Sequence, residues 1–112
     1  MSGPQFWDTK AFGAMSLEAV KERHQPAYKF RIQKHLYTPH TPYYESGVAG
    51  IIYVLSGWVQ ITFNATSEMW EVRPGQYLQR PQGSFAISHP EGVEIIKVLE
   101  LPPEMWPKDE KP

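Results

Sequence analysis

The side chains able to do chemistry in this chain are its four histidines, carboxylates, tyrosines and hydroxyls, because it contains no cysteine. That absence excludes a disulfide scaffold, a zinc–thiolate centre, a redox dithiol and a thiol nucleophile. The densest concentration is the run from Pro39 to Gly47, which holds His40, Tyr43, Tyr44 and Glu45. An imidazole titrates near neutral pH, so His40 paired with Glu45 can act as a general base, with Tyr43 or Tyr44 as acid or hydrogen-bond donor. The plainer reading is a solvated loop histidine beside aromatics that only pack. His35, His40, Glu45 and His89 together have the donor types for a divalent transition metal. His24 is expected at the surface.

These groups must be positioned by strands. From Tyr28 to Thr38 the chain alternates, with Phe30, Ile32 and Leu36 at even positions and Lys29, Arg31, Gln33 and His35 at odd ones, which is the pattern of a half-buried strand. His35 lies on its polar face, which looks either into a barrel or, more commonly in small barrels, out to solvent. Pro39 to Gly47 is rich in turn formers and reads as a loop or a bulged edge. Gly50 to Leu55, a Ser56-Gly57 turn and Trp58 to Phe63 read as a hairpin. Met69 to Val72, Tyr77 to Arg80 and Ser84 to Ser88 are short strands between turns, and Val93 to Leu101 is a strong final strand.

Many short strands separated by turn signals describe a small antiparallel sandwich or barrel over 28–101. Residues 1–27 form an N-terminal extension with a short helix over 16–24, capped by Ser16 and stopped by Pro26. The tail 102–112, rich in proline and charge, is expected to be extended and poorly ordered. At 112 residues the chain has room for one domain with one core.

Eleven basic and 12 acidic residues give a formal charge of −1, without the basic excess that a nucleic-acid or anionic-membrane binder needs, so neither partner is expected. The most apolar stretch, Gly47 to Val59, is shorter than the ~20 residues that span a bilayer, and Met1 to Pro4 opens no signal-peptide core. A soluble, cytoplasmic protein is the expectation.

Two stretches resemble the cupins, a family of small jelly-roll barrels. Tyr53-Val54-Leu55-Ser56-Gly57 matches the Tyr-Val-Leu-x-Gly ending of the family's first motif, and Gly75, Pro81 and Gly83 match the second motif in identity and spacing. The resemblance covers roughly Tyr28 to Leu101 and implies an all-β, single-domain cupin-type jelly-roll barrel. The usual metal ligands depart from the pattern. The family glutamate falls on Gly50, its histidine pair on Tyr43 and Glu45 or on Tyr44 and Ser46, its third histidine on Ala86, and its asparagine on Pro90. Glycine and alanine offer no side-chain donor, so the usual metal chemistry does not carry over and no cofactor is expected. A divalent transition metal would need the relocated set His35, His40, Glu45 and His89.

By the same resemblance the Pro39 to Gly47 segment enters at the barrel mouth, and Tyr77 and Gln79 point inward. With Ala86 inward, Ser88 follows it, while His89 and Arg80 point away. Ile52 and Val54 form an aliphatic floor, and the next strand contributes either Trp58, Gln60 and Thr62 or Val59, Ile61 and Phe63. His40, Glu45 and Tyr43 are therefore the candidate catalytic residues, and His35, Tyr44, Gln60, Tyr77, Gln79 and Ser88 the candidate ligand-binding ones. Such a cavity suits a neutral or aromatic small molecule. Metal-free cupins include sugar-nucleotide epimerases and ketoisomerases, as well as sensory and storage domains. The resemblance accordingly implies a metal-independent isomerase, epimerase, cyclase or lyase, or a non-catalytic ligand-binding module, or a dioxygenase-like enzyme with a relocated metal. Phe6, Trp7 and Phe12 offer apolar surface for a homodimer, and the four tryptophans are expected to be structural anchors.

Overall fold

Proline and glycine turns cut the chain into short runs of β-branched and aromatic residues, and these become strands. The computed structural model describes residues 3–110, with the side chains of 40–46 and 110 left aside. In chain order the elements are β1 (Gln5–Phe6), α1 (Thr9–Phe12), α2 (Leu17–Arg23), β2 (Phe30–Tyr37), β3 (His40–Gly47), β4 (Gly50–Gly57), β5 (Val59–Phe63), β6 (Met69–Val72), β7 (Gln76–Arg80), β8 (Gly83–His89) and β9 (Val93–Glu100). Two sheets form, one in the order β1-β7-β4-β9-β2 and the other β3-β8-β5-β6. All their pairings are antiparallel. This is the expected all-β jelly-roll architecture.

The expected hairpin over Gly50 to Phe63 does not form. β4 and β5 lie in different sheets, so Ser56 to Trp58 is a corner that carries the chain across the sandwich. Gly57 takes φ +72° there, and a Cβ would run into the Gly92 carbonyl, so the corner admits only glycine. Pro39 to Gly47 resolves to its bulged-edge alternative. β3 is an edge strand on β8 whose register shifts between His40 and Tyr43, where Pro42 is tolerated.

Two cores sit on opposite faces of the five-stranded sheet. The inner core fills the space between the sheets and includes Val54, Ile61, Leu78, Phe85 and Ile95. The outer core packs Trp7, Ala19 and Val20 from the N-terminal segment on Tyr53, Ile96 and Val98. α2 starts at Ser16, whose hydroxyl accepts from the Ala19 N–H at 3.1 Å, and it turns Ala19 and Val20 onto the sheet. The extension is thus a third layer. Of the three aromatics that offered a dimer surface, Trp7 is buried and Phe12 packs beside it, while Phe6 is 76% exposed.

The tail departs from the expected extended form. It makes 3-10 turns at Pro103–Met105 and Lys108–Glu110. Trp106 holds it down, donating its indole N–H to the Leu101 carbonyl at 3.0 Å and packing edge-on against Tyr28 under the Lys29 ammonium. No helix among the described residues is long and apolar enough to cross a membrane.

Candidate functional site

Strand parity decides which polar groups enter the barrel. On β2, Phe30 and Ile32 join the outer core while Tyr37 packs on the inner one, so His35 shares the interior face with Tyr37. The two rings stack at 5.5 Å and 20°. On β8, Phe85 and Ile87 are buried in the inner core and His89 follows them inward, 1% exposed. His89 stacks on Tyr37 at 5.3 Å and 23°. Tyr37 is therefore flanked by two imidazoles drawn from opposite sheets. Lys97 of β9 faces the same space, in line with the inner-core residues Val93 and Ile95. Tyr37, His89, Lys97, Val93 and Ile95, with Ile52, Val59 and Ile87, bound a cavity of about 10 Å³, roughly one water molecule in size, and His35 lies outside that lining. His35 and Lys97 are only half-buried, so the cluster is exposed to solvent on their side.

Several sequence expectations are corrected by this parity. His89, expected to point away, is interior, and Ser88, expected inside, is on the outer face of the four-stranded sheet. The reason is that β8 places its large apolar residues Phe85 and Ile87 in the core, and a shift of one residue reverses every neighbour. Gln60 is the register partner of Ser88 and shares that outer face, since Val59, Ile61 and Phe63 are the buried set of β5. On β7, Leu78 takes the interior position and Arg80 follows it. Arg80, expected outward, is 2% exposed with its guanidinium 4.4 Å from the Phe85 ring centre. Tyr77 and Gln79, expected inward, lie on the opposite face, Tyr77 in the outer core and Gln79 exposed.

The side chains of His40, Tyr43, Tyr44 and Glu45 lie outside the described residues. Their backbone register is defined: His40 is opposite His89, Tyr43 opposite Ile87, Tyr44 opposite Ala86 and Glu45 opposite Phe85. Among the described residues no three His, Asp or Glu side chains are grouped closely enough to hold a metal ion. The usual cupin metal position does not fit this chain, because Gly50 and Ala86 bring no donor to it.

Sequence reasoning missed Lys97 and Tyr37. The run Val93-Glu94-Ile95-Ile96-Lys97-Val98 is apolar on both faces, so alternation gave no sign of which way Lys97 points. Register supplies it, since Lys97 is opposite Gln33 on β2 and Ile52 on β4.

A second polar cluster lies between α2 and the outer face of the five-stranded sheet. Arg23 donates to the Tyr53 hydroxyl at 2.8 Å and to the Tyr77 hydroxyl at 3.1 Å. His24 Nε2 is 2.7 Å from the Tyr53 oxygen, and Tyr77 donates to Gln5 Oε1 at 2.8 Å. Burial pushes the Tyr53 phenol up to about 12, with Arg23 opposing the rise, so it stays protonated. Burial, and then the Arg23 charge, hold His24 below its ordinary value of 6.5. His24, expected at the surface, is half-buried and bonded at this seam.

No protein-family model matches the chain, and no curated protein matches it. Solved structures do. A conserved protein of unknown function from Streptococcus pyogenes superposes with a TM-score of 0.58 at 21% identity, over 66% of this chain and 66% of that one. A cupin superfamily protein from Desulfitobacterium hafniense gives 0.58 at 16% identity, over 66% and 69%. A cupin domain of an XRE-family transcriptional regulator from Enterobacter cloacae gives 0.55 at 18% identity, over 67% and 84%. At these identities the likeness is one of fold.

Proposed function

With a cupin fold as the scaffold, we propose that this protein is a small-molecule enzyme of isomerase, epimerase, cyclase or lyase type that moves a proton beside a carbonyl without a metal. The observation that carries the reading is the His35–Tyr37–His89 stack. A phenol and an imidazole, Tyr37 and His89, line a cavity that an ammonium, Lys97, also faces, and a second imidazole, His35, stacks on the same phenol. An imidazole takes the carbon-bound proton, a phenol or second imidazole supplies one to the oxygen, and a nearby cation favours the developing enolate charge. The register that sets His40, Tyr43 and Glu45 opposite the interior residues His89, Ile87 and Phe85 supports the same assignment.

The test is solvent exchange. Incubating the protein in D2O with a panel of 2-oxo acids and ketoses introduces deuterium α to the carbonyl of the substrate class, read by proton NMR. His89→Gln and His40→Gln abolish the exchange while the circular dichroism spectrum is unchanged, and full activity in both variants overturns the assignment. A stoichiometric transition metal in the purified protein would instead support a relocated-ligand reading, in which His35 and His89, on either side of the Tyr37 ring, cannot both be donors to one ion. The second reading is a non-catalytic binding module, supported if a bound ligand is recovered unchanged. The proposal includes a cytoplasmic homodimer joined near exposed Phe6 on the edge strand β1, checked by mass in solution.

A further inference from the structure

The Arg23 cluster opens onto a cleft of about 420 Å³ on the outer side of the five-stranded sheet, within the size range of small-molecule sites. Its floor is Phe30, Ile51 and Val98, and its polar wall includes Gln5, His24 and Glu100. We propose that this cleft is a second small-ligand site, built for a flat neutral molecule that carries a carbonyl acceptor beside an N–H or O–H donor.

The selectivity follows from the direction of the hydrogen bonds. A guanidinium has only donors, so both phenols accept from Arg23 and must donate onward. Tyr77 donates to Gln5 Oε1, which leaves the Gln5 amide NH2 as that residue's remaining function. We assign the Tyr53 hydroxyl as donor to His24 Nε2, 2.7 Å away, which makes His24 the neutral tautomer with its proton on Nδ1. One arginine thereby fixes the polarity of two chains, and each ends in a residue that lines the cleft with a donor to offer. Glu100 supplies the complementary acceptor. Its carboxylate disfavours an anion, Arg80 in the lining and Arg23 behind His24 disfavour a cation, and the aromatic and aliphatic floor favours a flat apolar face. The site is separated from the barrel interior by the sheet itself, so it does not depend on the proton-transfer reading.

The experiment is a titration followed by 1H–15N NMR with 2-pyridone, a flat lactam with adjacent C=O and N–H, against benzoate and benzylamine. The expected result is saturable shifts of the Ile51 and Val98 amides with 2-pyridone, and weaker binding of both charged probes. Gln5→Ala, on an exposed two-residue strand, weakens 2-pyridone by about fivefold, the scale of one lost hydrogen bond, and Tyr53→Phe does the same by releasing His24. The rest of each variant's spectrum reports that its fold is intact. The proposal is overturned by no saturable shift at the solubility limit, by shifts confined to interior residues such as Ile87 and Val93, by undiminished binding to Gln5→Ala, or by equal binding of a charged probe.

Discussion

The five-stranded sheet carries a histidine–tyrosine cluster on each face, and the two are built in opposite ways. Outside, His24 meets Tyr53 edge to edge through a 2.7 Å hydrogen bond, and Arg23 closes the arrangement from the other side. Inside, His35 and His89 meet Tyr37 face to face, with ring planes within 20° and 23° of parallel. An edge contact fixes where the proton is and ties it to a neighbouring charge. A stacking contact fixes only the ring plane and leaves the proton to whatever meets the ring edge. The outer cluster is therefore suited to holding a layer in place with fixed polarity, while the inner one is held by ring planes packed across the space between the sheets.

The largest effect separates the layers. Trp7 is buried in the outer core, and its N–H donates to the Gly13 carbonyl at 2.8 Å. Trp7→Ala should cost about 3–5 kcal/mol in urea unfolding, the scale of a buried large aromatic. A loss under about 1 kcal/mol would mean that the N-terminal segment is an appendage and not a layer.

The comparison itself is tested by one hydroxyl on each side. Tyr53→Phe leaves a half-buried guanidinium nitrogen and an imidazole without their shared partner and should cost about 1–3 kcal/mol. Tyr37→Phe keeps both ring stacks and should cost less than about 0.5 kcal/mol. Equal losses would show that the two clusters are held by the same kind of contact.

A smaller effect is the pH dependence. The native protein holds His24 below the 6.5 at which the unfolded chain protonates it, so below that value the unfolded state binds more protons. Stability is complete above about pH 6.5, falls as the pH drops through that value, and levels off once the native His24 has also protonated. His24→Gln should flatten this part of the curve, measured as urea midpoints between about pH 7.5 and about pH 5. An unchanged slope would assign the dependence to other groups.

How much of this was legible in the sequence depended on how many faces of a strand are buried. β5 reads Val59-Gln60-Ile61-Thr62-Phe63, one face apolar and one polar, but alternation left two inward sets open, and burial decides for Val59, Ile61 and Phe63. β4 and β9 are apolar on both faces because the N-terminal layer covers the outer one, so alternation there says only that the strand is buried. The motif glycines located the turns, since Gly57 and Gly75 both have positive φ, but a turn does not determine which side the next side chain takes. Counting from Gly75 thus exchanged Tyr77 and Gln79 for Leu78 and Arg80. The Arg23 cluster was out of reach for a different reason: it joins Gln5, Arg23, Tyr53 and Tyr77, which no local pattern connects.

The smallest expected effect is a null, and it bears on the same parity. Ser88, placed in the pocket by counting, and Gln60, a candidate from one of two open alternatives, stand on the outer face of the four-stranded sheet, opposite each other in register. No layer like the N-terminal segment covers that face among the described residues. The double variant Gln60→Ala/Ser88→Ala should leave both the deuterium exchange and the unfolding midpoint unchanged, within about 0.5 kcal/mol for stability. His89→Gln, one residue along the same strand, should abolish the exchange. Because the side-chain period of a strand is two, adjacent residues cannot both line one cavity without a bulge, and the β8 register with β5 is regular from Gln60 to Phe63. A loss of exchange in the double variant with His89→Gln unaffected would therefore place the working face of β8 on the outside of the barrel.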